Sequence, residues 1–227
     1  MDFKNAIELL ELCKKHDLPI SEVMRQREII EGEKEADTVH DAMARVLEIM
    51  KNAAFTPIKE PVRSMGGLIG GEAKKIASRY HSGNGICGDL LEKSMIYAMA
   101  TLETNASMGL IVASPTAGSA GIVPGLLLGL QEVHKFDDEQ IIQALFNASA
   151  IGYLAMRNAT IAGAAGVANA IIAAEISLSG IHQLIPFDEM LNAMYIVGKR
   201  LPAELRETAQ GGCAATPSAC AACGGCA

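Results

Sequence analysis

Apolar positions recur with a helical period through most of the chain. Phe3, Ile7, Leu10 and Cys13 share one face, with Glu8, Glu11, Lys14 and Lys15 on the other, which predicts an amphipathic helix with Cys13 as a small core residue. Leu18-Pro19-Ile20 breaks it, and Ser21 opens a second, shorter helix to about residue 30. Beyond the charged run 31–37, Thr38 caps a third helix whose Val39, Met43, Val46, Leu47 and Met50 form one stripe; His40 lies beside that stripe with no metal partner nearby. Residues 55–71 carry Pro57, Pro61 and four glycines and read as a loop or hinge. A short helix follows over 72–80, then a turn, then a long helix from about Cys87 through Leu91, Met95, Ile96, Met99 and Leu102. Another apolar run covers 126–133, and 139–155 forms a helix with Ile142, Leu145, Ala148 and Ile151 on one face. Pro186 opens a late helix through Met190, Met194 and Val197. No stretch reads as a strand and no repeat is evident. The expected fold is all-α, a multi-helix bundle, with a helical cap over 1–56, a hinge over 57–71, a core over 72–210 and a Cys-rich tail over 211–227.

Composition supports helix-on-helix packing. Half of the 227 residues are hydrophobic, but only 4% are aromatic and there is no Trp, so Ala, Gly, Met, Ile and Leu carry the core. The net charge of −7 and the absence of a basic patch exclude nucleic acid as an expected partner. Residues 160–181 are long and apolar enough to be weighed as a membrane span, but Glu175 and the many Gly and Ala residues favour a buried helix, so no membrane is expected. Residues 1–5 lead straight into a helix with acidic residues, with no secretory signal, and six cysteines, four of them in the last fifteen residues, do not form a disulfide framework. A cytoplasmic setting is expected, with thiols available for metal or redox work. Cys87, near a helix start, either has an activated thiol or simply packs.

The chemistry centres on Ser114-Pro115-Thr116-Ala117-Gly118-Ser119-Ala120-Gly121-Ile122-Val123-Pro124-Gly125. Pro115 biases Ser114 away from helical dihedrals and Thr116 can cap a helix that follows. Such a helix would aim free backbone N–H groups and the hydroxyls of Ser114, Thr116 and Ser119 at one point, an arrangement suited to a carboxylate or phosphate. The plainer reading is a turn followed by a helix whose small residues allow close packing. In the tail, Cys220-x-x-Cys223-x-x-Cys226 has a spacing able to wrap an iron–sulfur cluster or zinc. A Gly/Ala-rich terminus whose thiols bind nothing is the other reading.

These motifs resemble those of the α chain of bacterial iron–sulfur-dependent L-serine dehydratases. The resemblance rests on Asn105-Ala106-Ser107-Met108-Gly109, on Ser114 to Gly125, and on Asn158-Ala159-Thr160-Ile161-Ala162-Gly163-Ala164. It extends to Ile185-Pro186-Phe187-Asp188-Glu189, Leu205-Arg206-Glu207-Thr208 and Ala214-Ala215-Thr216-Pro217. It implies an all-α chain paired with a separate β chain, a [4Fe–4S] cluster, and conversion of L-serine to pyruvate and ammonia. It further implies that Ser114, Thr116, Gly118 and Ser119 hold the substrate carboxylate, with Asn158 on a facing polar loop. No residue presents itself as the base for the α-proton, so the catalytic base is unassigned.

One departure matters. After the run resembling Asn158 to Ala164, the family continues through G-G-C-Q-A-E, C-D-P and V-P-C-x-x-R-N, which carry its cluster cysteines. Here Gly163-Ala164-Ala165-Gly166 passes directly to Val167-Ala168-Asn169-Ala170. The expected ligands are therefore Cys220, Cys223 and Cys226, and the rival expectation is a catalytically defective subunit that folds and docks the β chain without a cluster. A pyridoxal-phosphate dehydratase is rejected, because the lysines fall mostly on charged helical faces such as Lys14-Lys15 and Lys74-Lys75.

Overall fold

The computed structural model describes residues 1–114 and 119–158, of which 155–158 are described as backbone only. Within these residues the chain is all-α, with seven helices and no strand: α1 (Ala6–His16), α2 (Ile20–Glu31), α3 (Ala36–Lys59), α4 (Glu72–His81), α5 (Asp89–Ala106), α6 (Ile122–His134) and α7 (Asp138–Asn158). No helix among the described residues is long and apolar enough to cross a membrane; residues 160–181 lie outside them.

α5 is the central element. It packs against α6, α3 and α4, while α2 lies against α7. The α5–α6 contact is the closest, and the sequence shows why. Gly121, Gly125 and Gly129 recur every four residues and so share one stripe of α6 and the turn before it. A Cβ at Gly121 would stand 2.5 Å from the Ala98 carbonyl oxygen, one at Gly125 2.7 Å from that of Ser94, and one at Gly129 2.6 Å from Ser94 Oγ. Only a stripe without side chains lets the two backbones meet. The opposite side of α6 sends Leu127 and Leu128 into the main core with Ile96, Tyr97, Ile141 and Leu145.

Polar groups fix the ends of the helices. Asn5 caps α1 by accepting the Glu8 N–H at 3.0 Å, and the Glu8 carboxylate returns to Asn5 Nδ2 and the Lys4 N–H. Asp137 and Gln140 exchange the same kind of reciprocal bonds at the start of α7. On α5, Glu103 is 1% exposed and accepts the backbone N–H groups of Gly71 (3.0 Å) and Ala73 (2.7 Å), so it caps α4 from a neighbouring helix. Three turns earlier, Glu92 accepts the N–H groups of Ile86 and Cys87. α4 is thus tied to α5 at its start, and the turn that follows it is tied to α5 as well.

Several expectations are met and some are corrected. The α3 stripe is observed, with Val39, Leu47 and Met50 buried. α3, however, starts at Ala36 rather than at a Thr38 cap, and runs through Phe55, Thr56 and Pro57 to Lys59 where a loop was expected. Pro57 has no N–H for the Ala53 carbonyl, and that oxygen instead accepts Thr104 Oγ1 of α5 at 2.8 Å. The lost intrahelical bond is replaced from outside, and the helix continues. In α1 the buried residue is Leu9, with Leu12 and Cys13 partly buried, and Ile7 is 69% exposed. α1 packs on α2 and needs only a narrow face. α5 begins at Asp89, after Cys87, and buries Ile96, Tyr97, Ala100 and Thr101, while Leu91, Met95 and Leu102 are exposed. Its inner faces are given to small residues that admit α6 and to the two carboxylates that hold α4.

Two outcomes follow for stability. Gly125→Val should lower the denaturant-derived unfolding free energy by about 1–3 kcal/mol or more through overpacking, whereas Gly152→Ala, where an added Cβ meets nothing within 4 Å, should raise it by roughly 0.5–1 kcal/mol. Glu103→Ala leaves two backbone donors at the start of α4 without their acceptor and should cost about 2–3 kcal/mol in the same measurement, with Glu103→Gln less damaging.

Candidate functional site

The segment between α5 and α6 holds two of the sequence motifs, and its local structure follows from them. Asn105-Ala106-Ser107-Met108-Gly109 ends α5. The Gly109 N–H reaches back to the Thr104 carbonyl at 2.8 Å and the Met108 N–H to the Asn105 carbonyl at 3.1 Å, the paired bonds of a Schellman cap. Met108 takes the left-handed position that such a cap demands, with φ at 63°. Gly109 must lack a side chain, since a Cβ there would lie 2.6 Å from Thr104 Cγ2. Ser107 Oγ also bonds the Thr104 carbonyl, at 3.0 Å.

Residues 110–114 then run without regular structure, with Val112 against the core and Ser114 half-buried. Ser119 is 2% exposed, and its hydroxyl donates to the Ser114 carbonyl at 3.2 Å, which holds residues 114 and 119 together. α6 opens at Ile122, and its N-cap Gly121 offers no side-chain cap; Thr116, expected to cap a helix, lies outside the described residues. Pro124 sits in the first turn, where its missing N–H removes no intrahelical bond. The plainer sequence reading, small residues for close packing, is what Gly121 and Gly125 do.

Of the residues expected at the site, Ser114 and Ser119 are brought together. Thr116 and Gly118 lie outside the described residues, as do Cys220, Cys223 and Cys226; Asn158 is the last residue of α7, and its side chain is outside them too. Among the described residues no three His, Cys, Asp or Glu side chains form a group able to hold a metal ion. Cys13 is half-buried on α1, where burial raises its thiol pKa, and Cys87 is exposed before α5. The described residues therefore do not supply the donor set that an iron–sulfur cluster requires.

Sequence reasoning missed a polar cluster between α4, α5 and α6. Lys93 of α5 pairs with Glu132 of α6 and lies 5.6 Å from the centre of the Tyr80 ring. Burial, and then a hydrogen bond to Glu132, holds the Tyr97 hydroxyl well above the usual tyrosine range. Burial works to raise Glu132 as well, but hydrogen bonds from Lys93 and Tyr97 bring its carboxyl below its ordinary value. Lys93 interrupts an apolar run, which was the only signal available for it. A separate cavity of about 370 Å³ opens between α2, α3 and α7, away from the 114–119 segment.

The chain matches the family described as serine dehydratase alpha chain over residues 15–166 and again over 164–214. It is 34% identical to the probable L-serine dehydratase alpha chain of Bacillus subtilis over 278 aligned positions, covering 95% of this chain and 92% of that protein. It is 28% identical to the L-serine dehydratase alpha chain of Peptoniphilus asaccharolyticus, covering 92% and 93%. The L-serine dehydratase of Helicobacter pylori (strain 26695) is 33% identical over 72% of this chain, which accounts for 36% of that longer protein. The 278 positions aligned with the Bacillus protein exceed the 227 residues present here, so the alignment closes only with a long gap in this chain. The family match is interrupted at 164–166, where the sequence motifs are discontinuous.

Met108 in a left-handed conformation is strained. Met108→Gly should raise the thermal midpoint, corresponding to about 1 kcal/mol or somewhat more of stabilisation.

Proposed function

The chain belongs to the serine dehydratase alpha-chain family, and from that premise we propose that it is the alpha subunit of an L-serine ammonia-lyase that eliminates water from L-serine to give pyruvate and ammonia. The observation that carries this reading is the two-part family match, which takes in the Asn105–Gly109 cap and the Ser114–Gly125 segment in order. In this reaction the α-proton and the β-hydroxyl leave as water. The resulting aminoacrylate tautomerises to the imine, and hydrolysis of its C=N bond releases ammonia and pyruvate.

The part assigned to this chain is to hold the substrate's acid end. Ser114, Thr116, Gly118 and Ser119 would present hydroxyls and backbone N–H groups to the carboxylate beside the start of α6, with Asn158 facing them. The Ser119–Ser114 bond brings two of these residues together, which supports such a pocket. A [4Fe–4S] cluster, when bound, supplies Lewis-acid pull on the serine hydroxyl, and in this chain Cys220, Cys223 and Cys226 are the residues that would hold it. The described residues themselves contain no ligand set for it.

A partner is part of the proposal. The Helicobacter relative carries a comparable segment as 36% of a single longer chain, which supports a separate β chain supplying the remainder here. The gap at 164–166 favours a second reading, a subunit that folds and docks the β chain without turning over serine. The test is anaerobic co-expression with the β chain, reconstitution with iron and sulfide, and assay of pyruvate from L-serine. The first reading expects turnover, and Thr116→Val should lower kcat/KM by about tenfold to a hundredfold, the loss of one hydrogen bond to a charged group. A complex that co-elutes with the β chain but forms no pyruvate overturns it in favour of the second.

A further inference from the structure

The cavity between α2, α3 and α7 is assigned to nothing above. It holds about 370 Å³, many times the volume of one water. Phe146, 3% exposed, lines it, and polar groups from three helices surround it: Ser21, Glu22 and Arg25 of α2, His40 of α3, and Glu139 and Gln143 of α7.

Three features there favour a carboxylate. Pro19 and Ser21, which line the cavity, belong to the start of α2, whose N-cap Pro19 has no side-chain capping bond. The first backbone bonds of α2 come from the N–H groups of Glu22 and Val23, which leaves those of Ile20 and Ser21 without an intrahelical acceptor. Ser21 is a second, independent sign: it is 8% exposed, yet its hydroxyl makes no hydrogen bond among the described residues. That hydroxyl lines the cavity and is free to meet a group that enters it. Arg25 gives two of its five donors to Glu22, through Nε at 2.8 Å and Nη2 at 2.9 Å, and keeps the rest.

A simple anion is nevertheless a poor occupant. Glu22 already pairs with Arg25 and Glu139 stands beside His40, so the lining offers no uncompensated positive charge. Glu139 uses Oε2 to meet His40 Nε2 at 2.9 Å, and its other oxygen remains for a cationic group. A bare metal ion is no better, because no three ligating side chains converge among the described residues.

We propose that this cavity is a binding site for a small α-amino acid in its zwitterionic form, separate from the 114–119 segment. The carboxylate lies at the start of α2, toward Ser21 and Arg25, the ammonium group lies toward Glu139, and the side chain lies along Phe146. An occupant bridges α2, α3 and α7, and so ties the N-terminal helices to α7. This assignment does not depend on the reaction proposed above.

The test is calorimetric titration of the full chain with L-alanine, acetate and methylammonium as probes, the cavity variants below separating its heat from any at the 114–119 segment. L-alanine should bind, with acetate and methylammonium each at least about tenfold weaker, since each keeps only one of the two charged contacts. Arg25→Met should weaken L-alanine binding by about tenfold or more. Gln143→Trp, at an exposed position where folding is not at stake, should abolish it by filling the opening. No heat from L-alanine overturns the assignment, as does binding unchanged in both variants. Acetate binding as tightly as L-alanine overturns it in favour of a plain anion site.

Discussion

The architecture depends on how closely α5 and α6 approach. Gly121, Gly125 and Gly129 remove every side chain from the contact stripe, and Ser94 and Ala98 answer with the smallest groups that an opposing helix can present. The fit is tight enough to strand a polar atom: Ser94 Oγ is buried beside Gly129 without a hydrogen-bond partner. Such a hydroxyl costs about 1–3 kcal/mol, and dispersion along a full helix contact offsets it. With α6 pressed against α5, both ends of the segment between them are fixed. Its first end is set by the cap on α5 and its second by the buried pair Ser119 and Ala120.

The remaining helices are positioned as much by hydrogen bonds to backbone as by apolar packing. Glu92 and Glu103, three turns apart on α5, take up N–H groups that flank α4. At the N-terminus, Asp2 accepts from both Arg27 of α2 and Tyr153 of α7, Phe3 packs edge-on to the Tyr153 ring, and the Arg27 guanidinium lies 3.9 Å from the centre of that ring. These few contacts join the first residues of the chain to its second and seventh helices, and Phe3 becomes fully buried.

Period and punctuation made much of this legible. The α3 stripe, α4, and the buried face of α7 with Ile142, Leu145 and Ile151 follow from spacing alone, and the discontinuity after Gly163 falls where the family match breaks. Other features depend on partners far along the chain. Pro57 reads as a breaker until Thr104 is beside Ala53. Glu92 and Glu103 read as solvated charges until the loops they cap are folded over them. On α5 the larger apolar residues Leu91 and Met95 were natural choices for the core, but the close approach of α6 gives that place to Ser94 and Ala98. After the 114–119 segment, Gly121 and Gly125 do what the plainer reading of small residues expects, and close packing explains them. The Ser119 hydroxyl meets the Ser114 carbonyl, a contact that spacing alone does not announce.

The bond between Thr104 Oγ1 and the Ala53 carbonyl couples two positions that no local rule connects. Threonine at 104 answers a vacancy created by proline at 57. Among relatives the two should drift together: a lineage that regains an amide hydrogen at 57 frees 104 to become valine or alanine, while one that keeps the proline must keep a hydroxyl. Two sites on different helices, α3 and α5, would then behave as a single inherited character.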